Sequence, residues 1–183
     1  MYLQFDANHR RPTFNDLYWQ PGGNTQLQPE KSWGLAVRGQ NKRLNINSKL
    51  HLQVSAKTYY RQINNWIQWI PNPQGVWSPR NVKSVANYGG MAWLESSFEQ
   101  GKGWVFSGFF SLSATKTFTT KSSIANDASL YKQQIYVPVF QTEARIRYQT
   151  PNWYIQIEVP YTSKRYISSD HSNHLPVFFT AFV

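Results

Sequence analysis

The sequence predicts an all-β fold, an antiparallel up-and-down transmembrane β-barrel segment of about eight strands, and three observations support this. Apolar and polar residues alternate with a period of two along most of the chain, as in strands with one apolar and one polar face. Aromatic residues make up 16% of the chain although its mean hydropathy is -0.56. Short and long connections alternate between the strands, which is typical of barrels that cross an outer membrane.

Eight segments carry the strand pattern. The clearest is 140–148, where Phe140, Ala144, Ile146 and Tyr148 share one face and charged or polar residues occupy the other. Residues 88–98 are less regular, because the face that takes Glu95 must also take Met91 and Trp93. The last segment is apolar on both faces and predicts a strand without a register. The predicted strands are 1–7, 33–37, 44–60, 88–98, 104–114, 140–148, 153–161 and 177–183.

The connections between these strands alternate in length, and helix signals are nearly absent. We expect the short ones to be tight turns at one end of the sheet, with the long loops at the other. The predicted short connections are 40–43, 99–103 and 150–152, the long ones are 11–31, 71–84 and 119–137, and a medium one covers 168–176.

Aromatic side chains on the apolar face form two rows, as amphipathic rings do at the two water–lipid interfaces. Trp153 and Tyr161 are eight residues apart, about 27 Å along an antiparallel strand. At a tilt of about 40° this spans about 21 Å of a roughly 25 Å apolar band. For any single residue, packing in an ordinary β-core is the alternative interpretation. The row near the long loops is Trp33, Tyr60, Tyr88 and Tyr161, and the row near the short turns is Phe98, Trp104, Tyr148 and Trp153.

Charged residues fall on the opposite, lumen-facing side of the strands. An unpaired charge facing hydrocarbon costs about 2–4 kcal/mol near the bilayer midplane, so this side must meet water or polar protein. The predicted lumen-facing residues are Arg38, Lys57, Arg61, Glu95, Glu143, Arg145, Arg147 and Glu158, with Asp6 partly balancing the cations.

The sequence contains no constellation that predicts an enzyme or a cofactor. There is no Cys, which excludes disulfides and thiolate ligands. Glu143 and Glu158 share a face with Arg145, which favours a charge ladder over acid–base catalysis. His171 and His174 with Asp170 have generic metal-ligand spacing, but they lie in a loop, and a solvated loop is the simpler interpretation. The net charge of +10 is spread along the chain, which argues against nucleic-acid binding.

The first long connection resembles the barrel signature of TonB-dependent receptors. That signature is approximately R-x-P-x-x-x-[DE]-L-Y, then G-N-x-x-L-x-P-E-x-S; here Thr25 and Gln26 stand where the family often has Pro and a small polar residue. The matching residues are Arg11, Pro12, Asn15, Leu17, Tyr18, Gly23, Asn24, Leu27, Pro29 and Glu30. Segments 65–69, 77–82, 136–138 and 161–166 also resemble receptors of the vitamin B12 and siderophore type.

Elementary stereochemistry suggests an architectural role for this motif. Pro12 and Pro29 end the strand ladders, because proline donates no backbone hydrogen bond. Gly22, Gly23 and Asn24 favour turns with positive φ. Contact with a ligand is not implied.

The resemblance implies a bacterial outer-membrane receptor that takes up a scarce nutrient complex of the siderophore-iron, cobalamin or haem type. The family has an N-terminal plug domain, a segment that engages TonB, and a barrel of 22 strands. We expect residues 1–183 to be a partial barrel from the C-terminal half, without plug or signal peptide. Its partners would be membrane lipid, the missing plug and strands, TonB through the missing N-terminal part, and the nutrient.

Two alternatives remain open from the sequence. A self-contained eight-strand outer-membrane barrel with a structural or adhesive role fits the strand count. A soluble ligand-binding β-barrel is the other, and the two aromatic rows oppose it. In an open segment of a larger barrel, strands 1–7 and 177–183 should not pair.

Overall fold

A computed structural model describes residues 1–41, 44–46, 49–71, 75–101, 103–168 and 170–181. Its regular elements are one short helix and eleven strands among the described residues. They are β1 (Tyr2–Arg10), α1 (Phe14–Tyr18), β2 (Glu30–Gln40), β3 (Leu44–Asn45), β4 (Leu50–Pro71), β5 (Trp77–Gln100), β6 (Trp104–Ser122), β7 (Phe140–Gln149), β8 (Tyr154–Thr162), β9 (Arg165–Tyr166), β10 (His174–Leu175) and β11 (Phe178–Phe179).

One antiparallel sheet contains nearly all of these strands, in the order β1-β2-β4-β5-β6-β7-β8-β11. β3 pairs with β4, and β9 and β10 form a separate hairpin. Each strand of the path therefore pairs with the next one along it, as an up-and-down barrel wall requires. Within the described residues, β1 and β11 do not pair, which confirms the prediction of an open sheet.

The prediction of a long connection over 71–84 is wrong. Residues 77–84 belong to β5 and β4 continues to Pro71, while residues 72–74 of this prediction lie outside those described. Within this segment, Pro79 lies opposite Trp69 on the paired strands, and its ring is buried. A β-bulge near Ile63 and Trp66 interrupts the register without ending the pairing.

Strand β6 is also longer than predicted. β6 extends to Ser122, inside the predicted loop 119–137. Some predicted segments include residues outside those described. They are the turns 40–43 and 99–103, the strand 44–60 and the end of the strand 177–183. Of the last predicted strand, Phe178 and Phe179 pair with β8.

The helix α1 was not expected, although the sequence carries its signal. Thr13 and Asp16 form a capping box, in which each side chain accepts from the other residue's backbone N–H. Thr-x-x-Asp is the pattern of such a cap. At five residues, α1 is short, and the described residues include no helix long and apolar enough to cross a membrane.

The two faces of the sheet differ in chemistry. Five apolar side chains of β6, β7 and β8 expose between 44% and 54% of their surface. They belong to one face, because β6, β7 and β8 pair them with each other or with apolar neighbours. These residues are Phe106, Phe110, Ile146, Ile155 and Ile157.

Candidate functional site

Ion pairs form at several of the predicted lumen-facing positions of the polar face. Arg61 of β4 donates to Asp6 of β1 at 3.0 Å. On β7 and β8, Arg145 contacts both Glu143 and Glu158, with its Nε 3.2 Å from the Glu158 carboxylate. Both glutamates thus accept from one guanidinium, which is the arrangement of a charge ladder.

Three further cations of this face lie against aromatic rings. The guanidinium of Arg38 is 5.0 Å from the ring centre of Trp93, and Arg147 is 4.2 Å from that of Tyr154. Lys57 is 6.0 Å from the ring of Tyr59. A cation above an aromatic face is stabilised by the ring's quadrupole. This explains why Trp93 lies on the polar side of β5.

A cleft of about 530 Å³ opens on the polar face, near the end of the sheet with the short turns. Glu95 and Phe109 line it, opposite Arg145 and Arg147. The Nε of Arg147 is buried and has no hydrogen-bond partner among the described residues. A buried guanidinium donor normally finds an acceptor, so this cleft is chemically suited to a polar group from outside the chain.

The motif loop, defined as residues 11–31, packs against the outer part of the β4–β5 hairpin. Asp16 accepts from the indole N–H of Trp69 at 2.9 Å, and Trp19 contacts Trp69 edge to face at 5.6 Å. Arg10 binds both carboxylate oxygens of Glu30, at 2.7 and 2.8 Å. Glu30 also accepts from the backbone N–H of Ile67 at 2.9 Å. These contacts attach the loop to the hairpin.

Burial alone would raise the pKa of Asp16. Hydrogen bonds from Thr13 and Trp69, with the nearby Arg10 guanidinium, outweigh burial and hold this pKa below its usual range. Asp16 therefore stays ionised, and its charge ties the helix to the hairpin.

Amides of the motif complete the attachment. Asn24 donates to the Pro79 carbonyl at 3.1 Å, and the backbone N–H of Gln28 donates to Asn81 at 2.7 Å. Asn81 returns hydrogen bonds to the carbonyls of Gln28 and Asn65. Leu27 is buried. Among the other predicted motif residues, Arg11, Asn15 and Tyr18 are exposed, and Pro12 and Leu17 are half-buried.

The expected reason for the motif glycines is wrong. Gly22, Gly23 and Asn24 do not have positive φ. Close packing explains the glycines instead: a Cβ on Gly22 would lie 1.9 Å from the Trp77 carbonyl oxygen. One on Gly23 would lie 2.7 Å from the Leu17 carbonyl oxygen.

A buried ion pair that the sequence did not predict joins a second loop, residues 123–139, to β5. The Lys83 ammonium is 3.4 Å from Asp127 and donates to Ser129 at 2.7 Å. Burial opposes ionisation of Asp127, but hydrogen bonds from Ser122 and Ser129 and the charge of Lys83 lower its pKa to about 2. The only local signal is Asp-x-Ser, which favours a turn; the pairing with Lys83 is long-range.

The loop 123–139 contacts the segment 165–175. His171 stacks on Tyr166 at 3.6 Å between ring centres, and its Nε2 lies 2.8 Å from the Gln133 carbonyl oxygen. Asp170 accepts from Ser172, and Lys132 donates to the Asp170 carbonyl. Among the described residues, no group of three or more His or carboxylate side chains is placed to hold a metal.

The predicted interface aromatics lie in contact pairs on the apolar face. Near the long loops, Trp33 lies 5.4 Å from Tyr60, which is the cross-strand partner of Tyr88. Near the short turns, Tyr148 contacts both Trp104 and Trp153, at 6.1 and 5.6 Å. Phe98 pairs with Phe106 across β5 and β6, and Tyr161 is 6.1 Å from Phe140.

An antiparallel sheet with one exposed aromatic and aliphatic face and one charged face has the facing pattern of a membrane β-barrel wall. The comparisons with known proteins define the family. A family profile described as "TonB dependent receptor-like, beta-barrel" matches residues 2–180. The chain belongs to this TonB-dependent receptor β-barrel family, which consists of outer-membrane receptors and transporters and not of enzymes.

Individual relatives agree with this assignment. The chain is 35% identical over 106 residues to "Vitamin B12 transporter BtuB" of Vibrio vulnificus, covering 55% of this chain and 16% of that protein. It is 37% identical over 79 residues to the protein of the same name from Photobacterium profundum, covering 40% of this chain and 12% of that one. The chain therefore spans only a small part of these relatives.

A solved structure supports the fold. "Copper transporter OprC" superposes on 98% of this chain and 28% of its own, with a TM-score of 0.65 and 15% sequence identity. At that identity the likeness concerns the barrel fold alone.

Proposed function

We propose that this chain is part of the wall of a TonB-dependent transporter that imports cobalamin. The observation that carries the proposal is the identity to two proteins that are both named vitamin B12 transporters, at 35% and 37%. Iron–siderophore and haem complexes are the other nutrients that the resemblance implies, and they remain the competing substrates.

The geometry supports a segment that works within a larger receptor. Within the described residues, β1 and β11 are the two edges of the sheet, and unpaired strand edges are stable neither in lipid nor in an isolated chain. Additional strands would cover these edges. The buried donor of Arg147 and the carboxylate of Glu95 in the cleft suit a polar plug domain inside the lumen. TonB would act through the N-terminal part of that receptor.

The substrate is tested by equilibrium binding to the purified receptor that contains this chain. Cyanocobalamin, a ferric siderophore and haem are titrated separately, with intrinsic tryptophan fluorescence as readout. We expect saturable binding of cyanocobalamin that neither other ligand displaces. Saturation by the siderophore or haem, with no cobalamin response, would overturn the cobalamin proposal while leaving the family assignment intact.

The isolated chain of residues 1–183 serves as the control for the role of a wall segment. Because its edges are open, we expect it to bind no cobalamin and to transport none when added to vesicles. Vesicle uptake by the isolated chain would show that it is a complete transporter and contradict this part of the proposal.

A further inference from the structure

Two lysines stand on the apolar face of the sheet. Lys31 precedes Trp33 by two residues on β2, so both side chains share the face on which Trp33 contacts Tyr60. Lys116 of β6 is the cross-strand partner of Tyr88, which belongs to the same face. Both lysines are exposed.

Both lysines lie beside the aromatic row near the long loops. The ammonium of Lys116 is 5.5 Å from the ring centre of Phe118, which contacts Tyr88 edge to face at 6.0 Å. His9 is the cross-strand partner of Lys31. The lysines therefore lie at the height where aromatic rings mark the boundary between lipid tails and headgroups.

The apolar face of the strands carries no carboxylate to balance these lysines. The protein has nine acidic residues, and all of them are described. Asp16, Asp127 and Asp170 lie outside the strands of the sheet. The remaining acidic residues occupy polar-face positions: Asp6, Glu30, Glu95, Glu99, Glu143 and Glu158.

An ammonium on this face cannot remain in hydrocarbon, so its flexible stem extends toward the headgroups. The anionic group at that depth is the lipid phosphate, which lysine binds as a point charge. We propose that Lys31 and Lys116 bind phosphate groups of anionic lipids in the leaflet on the long-loop side. The proposal rests on the chain being a lipid-facing wall segment of a complete receptor, as proposed above.

The test measures lipid retention by the complete receptor. The receptor is reconstituted in nanodiscs of phosphatidylcholine with phosphatidylglycerol, released, and examined by native mass spectrometry for bound phosphatidylglycerol. Each of Lys31→Gln and Lys116→Gln should weaken retention about fivefold, since a cation near a membrane surface contributes about 1 kcal/mol. Lys164→Gln is the matched control, because Lys164 is exposed and lies 5.7 Å from the Tyr166 ring but beyond the end of β8.

Retention unchanged in the Lys31→Gln/Lys116→Gln double variant would overturn the proposal. So would an equal loss in Lys164→Gln, since that result would reflect net charge alone. If the double variant fails to insert, the single variants and the charge-preserving Lys116→Arg decide, and Lys116→Arg should retain lipid. Cyanocobalamin binding in detergent should be the same in all variants, which separates failure of this proposal from failure of the proposed substrate.

Discussion

Arg61 and Asp6 form an ion pair across an intervening strand. Arg61 belongs to β4 and Asp6 to β1, yet the donor nitrogen lies 3.0 Å from the carboxylate oxygen. Gly34 of β2 is the cross-strand partner of both residues. Its missing side chain leaves the space through which the two charges meet: a Cβ there would lie 3.2 Å from the Asp6 carboxylate.

The first prediction follows from this arrangement. Gly34→Val should separate Arg61 from Asp6 and lower the free energy of unfolding by about 1–3 kcal/mol through overpacking. The pair itself contributes less than about 1 kcal/mol, because the Arg61 side chain is 47% exposed. Urea unfolding of the receptor in lipid vesicles measures both the cost of Gly34→Val and the contribution of the ion pair. A double-mutant cycle with Asp6→Asn and Arg61→Gln measures the coupling free energy of the ion pair. A coupling well above about 1 kcal/mol would contradict this prediction.

The second prediction concerns close packing between the motif loop and the hairpin. Gly22→Ala forces the Trp77 backbone away and should destabilise the receptor by about 1–3 kcal/mol. Gly39→Ala is the matched control, since a Cβ at Gly39 meets nothing within 4 Å. Thermal unfolding in detergent compares the two. Equal stability of both variants would show that the loop does not pack as described.

The third prediction concerns the loop 123–139. Asp127→Asn leaves the Lys83 ammonium buried without its carboxylate, which typically costs about 3–5 kcal/mol. The loop should then open, and trypsin should cleave after Lys132 faster than in the parent protein. Replacing both partners, with Lys83→Met and Asp127→Asn, should restore most of the protection. Unchanged cleavage in the single variant would mean that the pair does not hold the loop.

The same pair predicts a pH dependence. The pKa of Asp127 is lowered from 3.8 to about 2. The folded loop therefore binds a proton less readily than the unfolded loop, and the stabilisation is complete above pH 3.8 and lost as the pH falls toward 2. Pepsin digestion through this acid range should cleave the loop progressively in the parent protein. Asp127→Asn should be cleaved without this pH dependence.

Strand positions and their faces followed from the sequence because both depend on local alternation. Lys57 and Arg145 needed only the period of two to be assigned to the polar face. The prediction of a loop over 71–84 failed because pairing between distant residues, such as Trp69 and Pro79, keeps much of this segment in the long hairpin.

The contacts of the loops could not be predicted from the sequence, for a different reason. The pairs Asp16–Trp69 and Lys83–Asp127 join residues far apart in the chain. No periodicity encodes such partners, although Thr13 and Asp16 did carry a readable cap. Gly22 was recognised as a turn glycine, but its function depends on a backbone oxygen from β5.

The last prediction tests which face of the sheet meets lipid. Ile157→Arg places a charge on the proposed lipid side at a residue that is 44% exposed. It should destabilise the folded receptor in lipid by about 2–4 kcal/mol if Ile157 lies near the midplane. Gln156→Arg, one residue earlier, places the same charge in the cleft beside Arg147 and should cost less, because water or polar protein solvates it there. The folded fraction of the receptor after refolding into vesicles, measured by heat-modifiable gel mobility, compares the two variants. A larger loss for Gln156→Arg than for Ile157→Arg would reverse the two faces.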